Sequence, residues 1–263
     1  MSRTAAMLMP MLLWSCGEAE TPPSPEPEAE IATRSTCEAV EFEGTALTHC
    51  LADPALHAIR MVTADAAGKP YRSFASYSAN RGATDAPVVF AMNGGMFGES
   101  GLGIGYYVEN GARGQELNRA QGGGNFHLLP NGVFFGSASA GWQVLETEAF
   151  YHKVLVRPRF GTQSGPMLVI DGDLHPEIAD NGESLHIRNA VGVDAGGMAH
   201  FVISDAPISF GRLARYFRDE LDTPNALYLD GAVSQLWDPA RGRIDNGAML
   251  GPLIVVEMRA NPQ

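Results

Sequence analysis

The sequence predicts one folded domain of the α+β (or α/β) class, with a central mixed β-sheet flanked by helices. Three observations lead to this class: short strand-like apolar runs recur along the chain, one amphipathic helix stands out, and glycine is frequent. There are 30 glycines among 263 residues. Because each glycine costs about 1 kcal/mol inside a helix, this composition disfavours a helical bundle.

Eight runs of four or five residues have the composition of β-strands. Most are continuous apolar segments bounded by Gly, Asp, Asn or Pro, and such segments are typical of strands buried on both faces. The runs span residues 58–62, 88–92, 132–135, 167–170, 190–193, 201–204, 226–229 and 253–256.

One helix is predicted over residues 209–221, where Leu213, Phe217 and Leu221 recur every four residues and form an apolar stripe. The segment 222–224 ends this helix, since the residue before a proline avoids the helical region. From residue 37 onward the sequence contains no linker-like segment and no internal repeat. We therefore expect a single domain over residues 37–263.

Residues 1–15 have the pattern of a lipoprotein signal peptide. Arg3 is followed by an apolar stretch of about ten residues, which is too short for a membrane span of about twenty residues. The stretch ends in Leu-Trp-Ser-Cys, and this motif predicts that Cys16 is lipidated and becomes the first mature residue. The alternative is an ordinary signal peptide with an incidental cysteine.

Residues 16–36 are predicted to be the lipidated cysteine and a disordered tether. The segment 17–32 contains five glutamates and four prolines, so it repels itself and has little apolar surface to pack. This pattern predicts an exported bacterial lipoprotein that contacts a membrane only through its lipid anchor. Gly17 stands where many lipoproteins of the inner membrane have aspartate, which favours the periplasmic face of the outer membrane.

The charge of the chain argues against nucleic acid as a partner. The formal net charge is −12, whereas binding to a phosphate backbone requires clustered Lys and Arg. Only two of the 18 basic residues are lysines, Lys69 and Lys153. A site that needs positive charge is therefore expected to use arginine, which binds phosphate and carboxylate in a bidentate manner.

Cys37 and Cys50 are expected to form a disulfide, because an exported protein folds in an oxidising compartment. The residues between them predict two short strands with a turn at Glu43-Gly44. Metal ligation and a catalytic thiol are the alternatives for these cysteines.

The predicted strands share a chemical pattern at their ends, where an apolar run is followed by a polar residue and often by glycine. Polar side chains there, with glycine to admit a ligand to the backbone, are typical of strand-end sites. The alternative is that Asn-Gly and Asp-Gly are hairpin turns, and 171–173 has the clearest form of such a turn. The endings are Asn93-Gly94-Gly95, Asp171-Gly172, Ser204-Asp205 and Asp230-Gly231.

Other segments also carry polar groups that suit a ligand. A bend at residues 163–166 is predicted to present backbone N–H groups to an anion, or to be a plain loop. The glycine-rich segment 121–125 is predicted to be a flexible loop over a ligand and lacks the Walker pattern. Arg188 is a candidate for binding phosphate, with a surface ion pair as the alternative. Ser164 and Ser234 would be nucleophiles only beside a histidine, and the seven histidines are scattered without metal-ligand spacing.

Five segments, taken in order, resemble the phosphodiester glycosidase family, also called the NAGPA-type or DUF2233 domain. The resemblance extends over residues 37–258, nearly the whole predicted domain. The ending at 230–234 departs from the Asp-Gly-Gly-Gly-Ser of the animal branch and is closer to a bacterial subgroup with Asp-Gly-x-x-Ser. The matching segments are 90–97 (FAMNGGMF), 162–172 (TQSGPMLVIDG), 187–192 (IRNAVG), 202–205 (VISD) and 225–231 (NALYLDG).

The resemblance implies hydrolysis of a sugar-1-phosphodiester at the anomeric carbon. The oxocarbenium-like transition state of this reaction needs a carboxylate, and the departing phosphate needs positive charge or backbone N–H donors. Asp230 and Asp205 are the candidates for the carboxylate, and Arg188 is the candidate for the phosphate. The candidates for binding the sugar or the phosphate are Asn93, Gly94, Gly95, Gln163, Ser164 and Gly231.

Two other functions are compatible with the sequence. One is a non-catalytic ligand-binding lipoprotein of the envelope on the same scaffold, and the other is a metal-dependent phosphodiesterase that cuts the P–O bond. No metal and no other cofactor is expected. As an alternative, Asp230, Asp205 and Asn93 offer the oxygen ligands that Ca²⁺ prefers, although no EF-hand spacing supports such a site.

Overall fold

The computed structural model describes residue 1 and residues 35–137 and 141–259. Apart from Met1, the predicted signal peptide lies outside these residues, as do Cys16 and all but the last two residues of the predicted tether. In the part of the chain that is described, no helix is both long enough and apolar enough to cross a bilayer.

Three β-sheets form the domain, and we name them sheets I, II and III. Sheet I has seven strands, with a spatial order that differs strongly from the chain order. Its strands are β1 Cys37–Phe42, β2 Thr45–Ala52, β10 Met167–Ile170, β11 Asp173–Leu174, β12 Asn189–Val193, β13 Ala199–Ser204 and β14 Asn225–Asp230. Their order across the sheet is β1-β2-β13-β12-β14-β10-β11.

Sheets II and III have five strands each. The strands of sheet II are β3 His57–Val62, β4 Val88–Asn93, β15 Leu236–Asp238, β16 Arg243–Ile244 and β17 Leu253–Met258, in the order β16-β15-β4-β17-β3. The strands of sheet III are β5 Tyr107–Glu109, β6 Ala112–Gln115, β7 Gly132–Ser137, β8 Gly141–Glu146 and β9 Phe160–Ser164, in the order β6-β5-β9-β7-β8.

The α-helices of the described residues are short. They are α1 Phe74–Ala79, α2 Thr147–Lys153 and α3 Phe210–Arg215, and α3 continues as a π-helical turn over Tyr216–Glu220. Ser209 caps α3, because its hydroxyl accepts a hydrogen bond from the Arg212 N–H at 3.2 Å. Asp222 has a positive φ of 47°, which takes the chain out of the helix. The helix predicted over residues 209–221 is therefore confirmed.

The strand content decides the fold class. Strands take up 40% of the described residues and helices 13%, so the domain is mainly β rather than a balanced α+β or α/β fold. The expected central mixed sheet flanked by helices is wrong, since every pairing between the named strands is antiparallel. All eight predicted strands form, but they are distributed over three sheets.

Sheet I is buried on both of its faces. In β13, the side chains of Phe201 and Ile203 pack against sheets II and III, whereas the side chain of Val202 packs against α3. The same alternation holds in β14, where Leu227 and Tyr228 belong to opposite faces. This double burial explains why the strands are continuous apolar runs, although their pairing is antiparallel.

An aromatic cluster holds the three sheets together. The ring of Phe201 in sheet I lies 5.3 Å from the ring of Phe90 in sheet II and 5.7 Å from the ring of Phe134 in sheet III, measured between centroids. Both pairs have edge-to-face geometry, which contributes about 0.5–1.5 kcal/mol per pair beyond the burial of surface. All three side chains are fully buried, so the core lies where the sheets meet.

The first hairpin forms as the sequence predicts. Cys37 and Cys50 are directly opposite each other in β1 and β2, and they form the expected disulfide. Glu43 and Gly44 make the turn, and both have positive φ, 46° and 72° respectively. Two consecutive residues with positive φ are typical of a tight hairpin turn.

Buried polar side chains join the ends of the sheets. The Asn189 side chain in sheet I donates from Nδ2 to the Oδ1 and the carbonyl oxygen of Asn93 in sheet II, at 3.0 and 3.2 Å. We call this contact the asparagine bridge. The Thr162 hydroxyl in sheet III donates to the Gly94 carbonyl oxygen at 2.5 Å. The three sheets therefore meet at the segment that follows β4.

We expect Asn189→Asp to lower the free energy of unfolding by about 2 kcal/mol or more, because a carboxylate there would face the oxygen atoms of Asn93 with no donor between them. Urea unfolding at neutral pH measures this loss. The matched control is Asn80→Asp at an exposed position, which should change the free energy by no more than about 0.5 kcal/mol. Equal losses in the two variants would contradict the structural role of the bridge.

Candidate active site

Predicted site residues from several chain segments meet at one edge of sheet I. Strand β12 lies between β13 and β14 and runs antiparallel to both, so the start of β12 lies beside the ends of the other two. Asn189 at this start is opposite Ile203 on one side and Asp230 on the other. Asp205 follows β13 at the same edge. The bend at 163–166 also ends there, because β10 is antiparallel to β14.

Asp230 is held at this edge by backbone groups. Its carboxylate Oδ1 accepts hydrogen bonds from the N–H groups of Gly231 and Ala232, at 2.6 and 3.0 Å. Its own N–H donates to the Oδ1 of Asn189 at 3.0 Å. The residue is only 8% exposed. The position of this carboxylate therefore depends directly on the asparagine bridge.

Burial raises the pKa of Asp230 above the ordinary value of an aspartate. The backbone N–H groups of residues 231–233 counteract this shift in part, because they stabilise the charged form. Carboxyl groups with a pKa shifted by burial are typical of sites that transfer protons or stabilise positive charge.

The segment after Asp230 folds back onto the asparagine bridge. The Ser234 hydroxyl lies 2.8 Å from the Asp230 carbonyl oxygen and 3.2 Å from the Asn189 Oδ1. The Gln235 N–H donates to the Asn93 Oδ1 at 2.9 Å. These contacts fix the loop that carries the backbone donors to the carboxylate.

The two glycines after Asn93 allow the sheets to approach closely. Gly95 has a φ of +99°, and a Cβ there would lie 2.9 Å from the Thr162 hydroxyl oxygen. A Cβ on Gly94 would lie 2.8 Å from the terminal methyl group of Met61. Both glycines are buried, and their contacts in the structure are with the protein itself. Their predicted contact with a ligand remains a prediction.

Both polar atoms of the Gln163 side chain form hydrogen bonds within the protein. Its Oε1 accepts from the N–H groups of Tyr106 and Asn118, both at 2.9 Å. Its Nε2 donates to the Asn118 carbonyl oxygen at 2.7 Å and lies 3.0 Å from the Thr147 hydroxyl. Gln163 thereby positions the segment from 106 to 118 beside β9.

Ser164 and Ser234 were considered as nucleophiles only on the condition that a histidine lies beside them. The Ser164 hydroxyl is buried and donates to the Leu229 carbonyl oxygen at 2.7 Å. The contacts of Ser234 are the carbonyl oxygens of Asp230 and Ile187 and the side chain of Asn189. In the described part of the chain neither hydroxyl has a histidine partner, so the condition for a serine nucleophile is not met there.

Arg188 is buried beneath Phe210 and has no carboxylate among its partners in the described chain. Its guanidinium donates to the carbonyl oxygens of Ile208 and Ser184, at 2.9 and 3.0 Å, and to the Tyr228 hydroxyl at 3.2 Å. The guanidinium carbon lies 3.6 Å from the centre of the Phe210 ring. Burial lowers the pKa of Arg188, yet an arginine stays charged in proteins. The alternative of a surface ion pair is therefore wrong, and the buried positive charge lies one residue from the asparagine bridge.

Tyr228 connects Arg188 to the loop after Asp230. Its hydroxyl occupies the space that a Cβ on Gly231 would need, which requires glycine at that position. The side chain of Asn125, in the glycine-rich segment, lies close enough to this hydroxyl to act against the rise in its pKa. Burial raises the pKa of Tyr228, so the hydroxyl stays neutral. The glycine-rich segment thus lies next to the candidate site.

Asp205 forms an ion pair that the sequence did not predict. Its carboxylate lies 3.0 Å from the Arg243 guanidinium and accepts from the Thr48 hydroxyl at 2.7 Å. Arg243 also contacts the Asp245 carboxylate, at 2.9 and 3.0 Å. The Asp245 carboxylate in turn accepts from the Leu236 N–H at 2.9 Å. The local sequence signal for this group was the Arg-x-Asp spacing of Arg243 and Asp245, at and just after the short strand β16.

The side-chain oxygen atoms of Asn93 and Asp205 that were considered for a calcium ion are hydrogen-bonded within the protein. The Asn93 Oδ1 accepts from Asn189 and Gln235, and the Asp205 carboxylate is shared by Thr48 and Arg243. Among the described residues, no three His, Cys, Asp or Glu side chains are grouped in a way that would hold a metal ion.

Solved structures share the fold of this chain. One is the zebrafish N-acetylglucosamine-1-phosphodiester α-N-acetylglucosaminidase (NAGPA) catalytic domain, auto-inhibited by its pro-peptide, with a TM-score of 0.58 and 12% identity, covering 85% of this chain and 82% of that chain. Another is a putative exported protein from Burkholderia pseudomallei K96243, with a TM-score of 0.52 and 11% identity, covering 81% of this chain and 74% of that chain. At these identities the similarity shows the fold alone.

The sequence comparisons identify the family. The uncharacterized protein YigE of Escherichia coli K12 is 39% identical over 150 residues, which are 57% of this chain and 58% of that relative. The chain thus spans less than two thirds of the length of this curated relative. The family model for NAGPA, the phosphodiester glycosidases, matches residues 86–244, which include Asn93, Asn189 and Asp230. The chain therefore belongs to the phosphodiester glycosidase family.

Proposed function

We propose that this protein hydrolyses a sugar-1-phosphodiester at the anomeric carbon. Water supplies the new hydroxyl of the free sugar, the bond between the anomeric carbon and the phosphate oxygen breaks, and a phosphomonoester leaves. The observation that carries this proposal is the buried Asp230 carboxylate at the edge where three sheets meet, within the family segment.

Asp230 is proposed to act as an ionised carboxylate, either as nucleophile or as electrostatic stabiliser of the oxocarbenium-like transition state. A phosphomonoester is a good leaving group, so strong acid assistance is less necessary than for an alkyl glycoside. The hydrogen bonds from Gly231 and Ala232 hold the carboxylate in one orientation, which favours a preorganised site.

Positive charge for the departing phosphate is proposed to come from Arg188. Its partners in the described chain are neutral, so its charge remains available to attract an anion to this edge of the sheet. Asp205 is proposed as the second carboxylate, and its side chain is 31% exposed, with Arg243 as its ion-pair partner. Asn93, Gly94, Gly95, Gln163, Ser164 and Gly231 are proposed to shape the site that receives sugar and phosphate.

The sugar to test first is N-acetylglucosamine, because the zebrafish structure with the same fold carries the name of an N-acetylglucosamine-1-phosphodiester α-N-acetylglucosaminidase. The substrate is proposed to be a small molecule or a glycan, with no cofactor. We also propose that Cys16 is lipidated and anchors the protein at the periplasmic face of the outer membrane, on the sequence pattern of residues 1–36.

The direct experiment is to incubate the full chain with p-nitrophenyl N-acetylglucosamine-1-phosphodiester and with UDP-sugars, and to measure free sugar. In water labelled with oxygen-18, anomeric cleavage places the label in the sugar, whereas P–O cleavage places it in the phosphate. Label in the phosphate, or loss of activity in EDTA, would support the metal-dependent phosphodiesterase instead. No turnover of any sugar by folded protein would support a binding protein.

We expect Asp230→Asn to lower kcat/KM by about 100-fold or more, because the neutral amide cannot stabilise positive charge in the transition state. The assay is release of free sugar by the full chain. The matched control is Asp222→Asn, at an exposed position where asparagine tolerates the positive φ of 47°. Turnover by Asp230→Asn at the wild-type rate would remove Asp230 from the mechanism.

We expect the acidic limb of the kcat/KM profile to report a pKa above the ordinary aspartate pKa of about 3.9. Burial raises the pKa of Asp230, so the working ionised form is lost as the pH falls through this raised value. The measurement is kcat/KM against pH. A limb at the ordinary aspartate value would show that a different group controls activity.

We expect Asp230→Asn to be at least as stable as the wild type at neutral pH. A carboxyl group whose pKa is raised by folding favours the folded state when protonated, and this contribution is lost as the pH rises through the raised value. Asparagine resembles the protonated form, so the advantage of the variant should shrink as the pH falls toward the ordinary aspartate range. Urea unfolding at several pH values tests this, and a variant less stable than the wild type at neutral pH would contradict it.

A further inference from the structure

We propose that one end of this protein docks onto a membrane surface that carries anionic phosphate headgroups. The surface consists of segment 153–159, together with Arg60 and Arg259, and we call it the docking face. It lies at the start of β9, whereas the candidate active site lies at the end of this strand.

The tip of the docking face is apolar and exposed. Leu155 is 88% exposed and Val156 is 81% exposed, and after the terminal Met1 they are the most exposed large apolar side chains in the described part of the chain. They are adjacent in sequence and follow the end of α2 at Lys153. Isolated exposed apolar side chains are common, but two consecutive and almost fully exposed ones are a marker of an interaction surface.

Basic residues flank this tip along the chain. Lys153, Arg157 and Arg159 lie within three residues of Leu155 or Val156, in a chain whose formal net charge is −12. In the described chain none of these three cations forms an ion pair with a carboxylate. The nearby carboxylates Glu148 and Glu116 are neutralised by arginine partners, at 2.6 and 2.8 Å. The local charge is therefore opposite to that of the whole protein.

A pocket of about 370 Å³ continues the docking face, and Arg159 lies on its wall with Arg60 and Arg259. The Arg60 Nε is buried and has no hydrogen-bond partner, and its Nη1 lies 3.4 Å from the Glu257 carboxylate. The Arg259 Nε donates to the His57 carbonyl oxygen at 2.9 Å. Of these three guanidinium groups only Arg60 is near a carboxylate, and the closest partner of that carboxylate is Arg81, at 2.7 Å. The pocket therefore has an excess of positive charge that favours an anion, and arginine binds phosphate in a bidentate manner.

The combination of features selects a membrane rather than a soluble anion. A soluble phosphate would be bound by the arginine pocket alone. Binding of this kind would not explain the exposure of Leu155 and Val156. At a lipid surface, the apolar tip enters the boundary of the acyl chains while the cations contact the headgroups. The pocket then takes one phosphate headgroup beside the inserted tip.

The test uses the full chain with Cys16→Ser in every sample, so that no lipid attached at this position contributes to binding. Sedimentation with phosphatidylcholine vesicles is compared with sedimentation with mixed phosphatidylcholine and phosphatidylglycerol vesicles. The first variant is Leu155→Ser with Val156→Ser, and the second is Arg159→Glu with Arg259→Glu. The matched controls are Met249→Ser and Arg218→Glu, at exposed or half-exposed positions outside the docking face.

We expect the parent protein to bind the anionic vesicles more tightly than the neutral ones, and to bind less as salt is added. Each docking-face variant should weaken binding to the anionic vesicles by about tenfold or more, because the serine pair removes the apolar tip and the glutamate pair reverses two charges that face the headgroups. Both controls should bind like the parent. Hydrogen–deuterium exchange should show protection of residues 153–159 by the anionic vesicles.

Equal vesicle binding by all variants would overturn the proposal, and so would protection of a different segment. Binding of inorganic phosphate that depends on Arg159 and Arg259, without any difference in vesicle binding, would assign the pocket to a soluble anion and also overturn it. The docking-face and control substitutions are at solvent-accessible positions, so they are expected to leave thermal unfolding unchanged, and this measurement checks that the variants are folded.

Discussion

The contact between Asn93 and Asn189 is the interaction on which the candidate site depends. A carboxamide suits this position because it donates and accepts at the same time. The Asn189 Nδ2 binds Asn93 in sheet II, while its Oδ1 accepts from the Asp230 N–H in its own sheet. One buried side chain therefore sets both the distance between two sheets and the position of the carboxylate. The Thr162 hydroxyl adds sheet III to the same point.

The same edge of sheet I contains two charged groups that burial destabilises. Asp230 has a raised pKa and Arg188 a lowered one, and in each case burial is the main cause. Neither group has an oppositely charged partner among the hydrogen bonds of the described chain, so their charges are not neutralised locally. The aromatic contacts of Phe201 with Phe90 and Phe134 provide stability at a separate place. Buried charged groups at one edge of a sheet, in a domain that a regular core stabilises elsewhere, are typical of a functional site.

Local patterns predicted the strands and the ends of strands well, because a buried run and its polar ending are encoded within a few residues. The pairing of strands was not predictable in this way, since β12 lies between β13 and β14 and no short-range signal specifies the second neighbour. Asp230 and Asn93 were identified by their position before glycine. Asn189 and Arg243 were missed because their partners, Asn93 and Asp205, are distant in sequence. The partners of the Gln163 side chain are also distant in sequence and belong to the protein, and its predicted contact with a ligand stays a prediction.

Strand β9 relates the docking face to the candidate site. Phe160 at its start lies on the wall of the arginine pocket, and Ser164 at its end contacts the Leu229 carbonyl oxygen, next to Asp230. An antiparallel strand rises about 3.4 Å per residue, so these two ends are separated by roughly 14 Å. A protein docked through the pocket end would hold the candidate site away from the headgroups, because the two lie at opposite ends of this strand. A substrate on a lipid would then need a headgroup long enough to reach the site, whereas a soluble phosphodiester would meet no such requirement.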